Sequence, residues 1–232
     1  ANSDLDYLLI GDVDGAADPL LKLRDRVVDD LSSKMVDDVK LSKPGASGIF
    51  GEIVRPAGIV KNIGLDADTN ITTTRRLLLL EESVSLLSPN SHRQLLRDIL
   101  QRYLELRKPN SRRVPRVLLN DIIRYWRTLA VDYHAKSSPP HPPYSLRYLK
   151  LVIPRQLCFV SSIAPLFLLS MNDSDDIDET EFLLEAFTQP AMLRLANLFS
   201  AICSGEYSDG DEVQATACSV FSTLDHFVER SG

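Results

Sequence analysis

Two carboxylates stand near the amino end, in the run Ser3-Asp4-Leu5-Asp6-Tyr7. On a strand, positions i and i+2 face the same way, so this spacing predicts two acids side by side. Like charges at that range repel. A divalent ion between them relieves the repulsion, and Mg²⁺ suits carboxylate oxygens while leaving sites for water and substrate phosphates. The bland reading of Asp4 and Asp6 is a pair of solvated acids ahead of a strand.

A rival motif overlaps them. Leu8-Leu9-Ile10-Gly11-Asp12-Val13-Asp14-Gly15 is an apolar run ending in Asp-x-Asp-Gly. It resembles the first motif of haloacid-dehalogenase-type phosphatases, in which the first Asp would attack phosphorus and the second would handle protons. That chemistry requires a doubly wound parallel sheet downstream, and no alternation of strand and helix follows Asp68. Ala16 also stands where that family has Thr or Val. The motif therefore reads as a turn. A calcium loop is excluded because no Glu stands at its twelfth position.

A third constellation is cationic. In the helical run from Pro115 to Asp132, Asn120, Arg124 and Arg127 fall at i, i+4 and i+7, along one side. Guanidinium groups bind phosphate oxygens bidentately, and Asn can serve a ribose or a base edge. Arg147 and Lys150 share a face a little further on. From Arg93 to Arg155 there are fourteen Lys and Arg against four acids, a net +10. The rest of the chain therefore carries −16, within a total of −6. A basic middle in an acidic chain reads either as a local anionic partner or as helix faces paired with acidic neighbours.

The elements that must position these residues change character along the chain. The first sixty residues alternate short apolar runs with turns. Strands are predicted at 5–10, 35–41 and 49–54, with Gly51 marking a bulge or a close backbone approach. Between the first two, Asp18-Pro19 opens a helix with Leu20, Leu21, Leu23, Val27, Val28 and Leu31 inward. From Asp68 the pattern is helical. Asn90-Ser91 caps a helix in which Leu95, Ile99 and Tyr103 recur every fourth residue, beside Leu96, Leu100 and Leu104. Pro115 starts another helix, with Leu118, Ile122, Trp126 and Leu129 inward. The proline-rich stretch 137–143 is an extended loop. Helices are predicted over 145–170, 179–187, 190–204 and 211–229, with an acidic loop of Asp173, Asp175, Asp176 and Asp178 before the second. The layout is α+β: a small mixed sheet domain over 1–64, then an all-helical bundle over 65–232.

Composition narrows the class. The 232 residues are 44% hydrophobic and 25% charged, which excludes collagen-like, low-complexity and wholly disordered chains. No run reaches eighteen consecutive apolar residues, so no bilayer span is expected. Cys158, Cys203 and Cys218 form neither a disulfide framework nor a metal spacing, and a reducing cytoplasm is the simple reading. An apolar run as early as Leu5, in a chain that starts at Ala1, reads as part of a longer protein.

Together these stretches resemble the DNA-polymerase-β-type nucleotidyltransferases, in the branch of bacterial PII-uridylyltransferase-like proteins. Ser3-Asp4-Leu5-Asp6-Tyr7 stands where that family has its Asp-h-Asp-h strand. Asn62-Ile63-Gly64, Asp68-Thr69-Asn70, Thr74 through Ser83, Asn120 through Arg127 and Leu146 through Lys150 are similar to stretches of its bacterial members. The likeness covers about residues 1–170. The family's Gly-Ser turn is absent, and its third carboxylate has three candidates: Asp37, Asp38 and Glu52.

The resemblance implies a nucleotidyltransferase-like α+β domain ahead of the helical bundle. It implies two Mg²⁺ ions on Asp4 and Asp6, the catalytic pair, across the triphosphate of a nucleotide such as ATP. Ser3, Asn120, Arg124, Arg127, Arg147 and Lys150 would contact that nucleotide. The reaction would move a nucleoside monophosphate to a protein or small-molecule acceptor and release pyrophosphate. The alternative is a catalytically inactive relative acting as a regulatory or interaction module. No membrane partner is expected, and a nucleic acid partner stays open.

Overall fold

Proline and glycine set the punctuation. In the computed structural model, Pro19 and Pro89 are the first residues of their helices and Pro115 immediately precedes another, where a fixed φ and a missing N–H cost nothing. The structure describes residues 2–4, 6–12, 19–33, 35–36, 39–42, 48–107, 114–136, 148–171, 177–204 and 210–231. The chain is mostly helical, with two small sheets, as an α+β layout requires. It divides into two compact units, Ala1–Arg76 and Leu77–Gly232.

In the first unit, β1 (Asn2–Asp4) lies parallel to β4 (Val39–Ser42), and β4 lies antiparallel to β3 (Met35–Val36). A separate parallel pair joins β2 (Leu9–Ile10) to β5 (Ile53–Val54). It is extended by Gly11 N–H to the Val54 carbonyl and Gly51 N–H to the Tyr7 carbonyl. Parallel strands need a crossover, and α1 (Pro19–Ser33) lies between them in sequence and packs on β4 and β5. A Cβ at Gly11 would lie 2.9 Å from Leu20 Cδ1, so glycine lets the chain pass close to α1.

The helix α2 (Pro56–Lys61) and the first turns of α3 (Asn70–Glu81) complete this unit. Arg76 is fully buried. It donates to Asp68 at 2.6 and 3.1 Å and to the Ile59 carbonyl at 3.0 Å. Arg75 reaches the carbonyls of Ile49 and Gly48 at 2.9 and 2.7 Å. Arg76 therefore ties α2 to α3, and Arg75 ties the 48–49 backbone to it.

The second unit holds the rest of α3, then α4 (Pro89–Glu105) and α5 (Arg116–Lys136). A wide π-type turn (Leu151–Arg155) leads into α6 (Gln156–Met171). Then come α7 (Glu179–Phe187), α8 (Ala191–Ser204) and α9 (Gly210–Ser231). Pro154 lies inside the π turn, where its missing N–H removes a ladder bond. The core is built from Leu77, Leu80, Leu96, Ile99, Leu100, Leu118, Ile122, Leu166, Leu183 and Leu184, among others. Asp178 caps α7, accepting from the N–H groups of Thr180 and Glu181.

Several expectations change. Among the described residues of 6–10 only Leu9–Ile10 is strand, and 49–54 shortens to Ile53–Val54 because Gly51 takes φ +77° and bends the chain. The single strand expected at 35–41 is two antiparallel strands, β3 and β4. Asn90 and Ser91 are not caps but first-turn residues; Ser88 stands at the N-cap position. Leu23 is exposed rather than inward. The side chain of Leu31, the proline-rich stretch and the acids at 173, 175 and 176 lie outside the described residues.

Among the described residues, one helix, Tyr148–Ser170, is long and apolar enough to cross a bilayer by length and composition. Lys150, Arg155 and Gln156 interrupt it, so a strict count of consecutive apolar residues misses it while its average hydropathy is high. Its packing against α5, α7 and α8 gives it bundle neighbours.

Candidate functional site

Asp4 ends β1, its backbone paired in register with Ser42. Asp6 lies outside the described strands. Asp6 is exposed. The side chains of Ser3 and Asp4, and all of Asp14, Asp37, Asp38 and Arg147, lie outside the described residues. Glu52 is exposed, 3.4 Å from Arg24 on α1. Asp12 is exposed beyond β2.

The cationic residues divide into two groups. Asn120, Arg127 and Lys150 are exposed. Arg124 donates to the buried carboxylate of Asp121 at 3.1 Å, and Asp121 also accepts from Tyr103. Upstream, Arg93 and Arg97 converge on Glu181, at 3.1 Å for Arg93 and at 2.7 Å for the Arg97 Nε, and Arg107 pairs with Glu179. Much of the basic surplus therefore holds α4 to the acidic first turn of α7. The helix-pairing reading of the charge pattern accounts for these arginines.

The most elaborate polar cluster was not legible in the sequence. Burial of Leu77, Leu79 and Leu80 carries the end of α3 into the second unit, and Glu81 goes in with it, only 6% exposed. Glu82 follows at the surface. Burial of Leu118 and Ile122 turns Tyr125 and Trp126 of α5 towards the same place. Arg155 ends the π turn, and Cys158 lies one turn into α6. A small recess results, lined by Glu81, Glu82, Tyr125, Trp126, Arg155, Cys158 and Phe159. The rings of Trp126 and Phe159 stack with centroids 5.5 Å apart.

Within it, Glu82 accepts from Tyr125 at 3.1 Å and from Arg155 at 2.8 and 3.0 Å. Cys158 Sγ lies 3.9 Å from Glu81 Oε2. Behind, buried Arg194 of α8 donates to Ser161 at 3.1 and 3.3 Å and stands over the Phe187 ring at 5.1 Å. Ser162 accepts from Arg194 at 3.4 Å and donates to the Cys158 carbonyl at 3.0 Å. Two buried atoms of opposite kind, Glu81 Oε1 and Arg194 Nη1, have no hydrogen-bond partner. Such orphans are costly.

Electrostatics follow from the burial. Glu81 is pushed up to about 8 by desolvation, which the positive charge of Arg194 only partly offsets. Cys158 is pushed up to about 12, by burial first and then by the neighbouring carboxylates, so it is a thiol at neutral pH and a poor nucleophile. Tyr125 is raised by burial foremost and Arg194 lowered by it. Covalent thiol chemistry is therefore disfavoured. What the cluster offers is a buried carboxyl, a second carboxylate and a sulfur, with donor atoms within 4.8 Å of one another. Glu81 and Glu82 are adjacent, but Cys158 is 77 residues from Glu81, and no local motif links them.

None of the protein-family models, curated protein sequences or solved structures compared with this chain matches it.

Proposed function

We propose that the chain is a Mg²⁺-dependent nucleotidyltransferase that moves a nucleoside monophosphate from a nucleoside triphosphate to a protein or small-molecule acceptor. The observation that supports it is the end of β1: a mixed sheet places Asp4 at a strand's carboxyl end, with exposed Asp6 two residues beyond. Carboxyl ends of strands are where α/β sheets receive ligands. The hard oxygens of Asp4 and Asp6 suit Mg²⁺. When bound there, Mg²⁺ supplies positive charge to the phosphates of the nucleotide. Cys158, Cys203 and Cys218 carry thiols rather than disulfides, which accords with a reducing compartment such as the cytoplasm.

A second reading, an inactive regulatory or interaction module, draws support from the helical unit. Arg93, Arg97, Arg107 and Arg124 all have acidic partners within the bundle, as scaffold charges do.

Transfer of label from α-labelled triphosphate, in Mg²⁺ with cell extract as acceptor, separates the readings. Loss of transfer in Asp4→Ala and in Asp6→Ala is the expected result. Unchanged transfer in both variants overturns the enzymatic reading. Nucleotide binding without pyrophosphate release for any acceptor favours the inactive module.

A further inference from the structure

We propose that Glu81, Glu82 and Cys158 form a binding site for one divalent transition-metal ion, with Zn²⁺ the best chemical fit. This site lies wholly in the second unit and does not depend on the nucleotidyl-transfer reading.

Three observations carry it. The donor atoms of the three side chains all lie within 4.8 Å of one another. The separation of Cys158 Sγ from Glu81 Oε2, 3.9 Å, is close to the ~3.5 Å that tetrahedral bonds of about 2.3 Å to sulfur and about 2.0 Å to oxygen would give. Glu81 Oε1 is a buried carboxylate oxygen with no hydrogen-bond partner, on a side chain 6% exposed that lines the recess. The recess is about the size of one water molecule or one bare ion.

Donor chemistry selects the ion. A cysteine sulfur disfavours Mg²⁺ and Ca²⁺, which take oxygen ligands, and suits Zn²⁺. Three protein ligands leave a fourth position for water. The half-exposed Glu82 supplies the way in, exchanging its pairing with Arg155 for the ion. Arg194 supplies positive charge beside Glu81, favouring the ionised carboxylate that a metal needs. On binding, the Cys158 S–H bond breaks, an S–metal bond forms, and the proton leaves to solvent; a protonated Glu81 loses its proton in the same way. No electron is transferred.

The test uses the full chain with the two exposed thiols removed, Cys203→Ser and Cys218→Ser. Reduced protein is titrated with Co²⁺ and separately dialysed against Zn²⁺. The expected result is one equivalent of retained metal and a near-ultraviolet thiolate-to-cobalt charge-transfer band. Adding Cys158→Ser should abolish the band and weaken retention about tenfold or more, and Glu82→Gln should weaken retention with the helical circular dichroism unchanged. Absence of stoichiometric retention, or a band that survives Cys158→Ser, overturns the site. If Cys158→Ser does not fold, Glu82→Gln decides in the parent. Weakened Zn²⁺ retention supports the site, and unchanged retention overturns it.

Discussion

The phenol of Tyr103 donates a 2.6 Å hydrogen bond to the carboxylate of Asp121, linking α4 to α5 with both side chains buried. Asp121 also takes a 3.1 Å bond from Arg124 one turn along its own helix. A buried carboxylate is stable only while its donors remain. Tyr103→Phe keeps the ring and removes one donor. It should lower unfolding free energy by about 1.5–3 kcal/mol, the range for a hydrogen bond to a charged group. Urea denaturation measures this. An unchanged midpoint would show that Asp121 is satisfied without the phenol.

Arg76 and Asp68 make a tighter wager. The arginine is fully buried and the aspartate side chain is 5% exposed, 2.6 Å away. Removing one partner strands a charge in the interior. Asp68→Ala should therefore cost about 3–5 kcal/mol, whereas an exposed pair such as Arg102 and Glu105 should cost under about 1 kcal/mol. Thermal unfolding of the two variants, compared side by side, checks the contrast. Equal effects would contradict it.

His92 gives the chain a pH-dependent element. Its Nε2 lies 2.7 Å from Ser83 Oγ, and burial holds its pKa below the usual imidazole value. The folded chain therefore binds fewer protons than the unfolded chain between the depressed pKa and about 6.5. The contribution of His92 is fully present above that range and lost as pH falls through the folded pKa. Melting temperature should drop as pH is lowered below about 6.5, and His92→Gln should flatten that limb. A limb of the same slope in the variant would assign it to other groups.

Legibility in the sequence followed the range of the interaction. Leu95, Ile99 and Tyr103 repeat along one face because a helix closes its own hydrogen bonds within four residues, so neighbours in sequence fix the element. Pro19 and Pro89 mark helix starts for the same local reason, and the ends of the helices at 179–187 and 191–204 could be placed within a residue or so. Strand lengths are less legible, since a strand extends only as far as a partner reaches: β5 is Ile53–Val54 because its partner β2 is Leu9–Ile10, and that pairing joins residues 44 apart in the chain.

By itself the sequence determined a chain with a short sheet-forming start and a long helical remainder, its basic charge concentrated in the middle. Those properties are sums over residues or periods of two and 3.6, and each is set by near neighbours. Tertiary structure decided the partners: which arginines meet Glu181, which carboxylate goes inside, and that Cys158 comes to rest beside Glu81. Contacts across 77 or 84 residues are chosen by how helices pack their apolar faces, and no spacing along the chain encodes that choice.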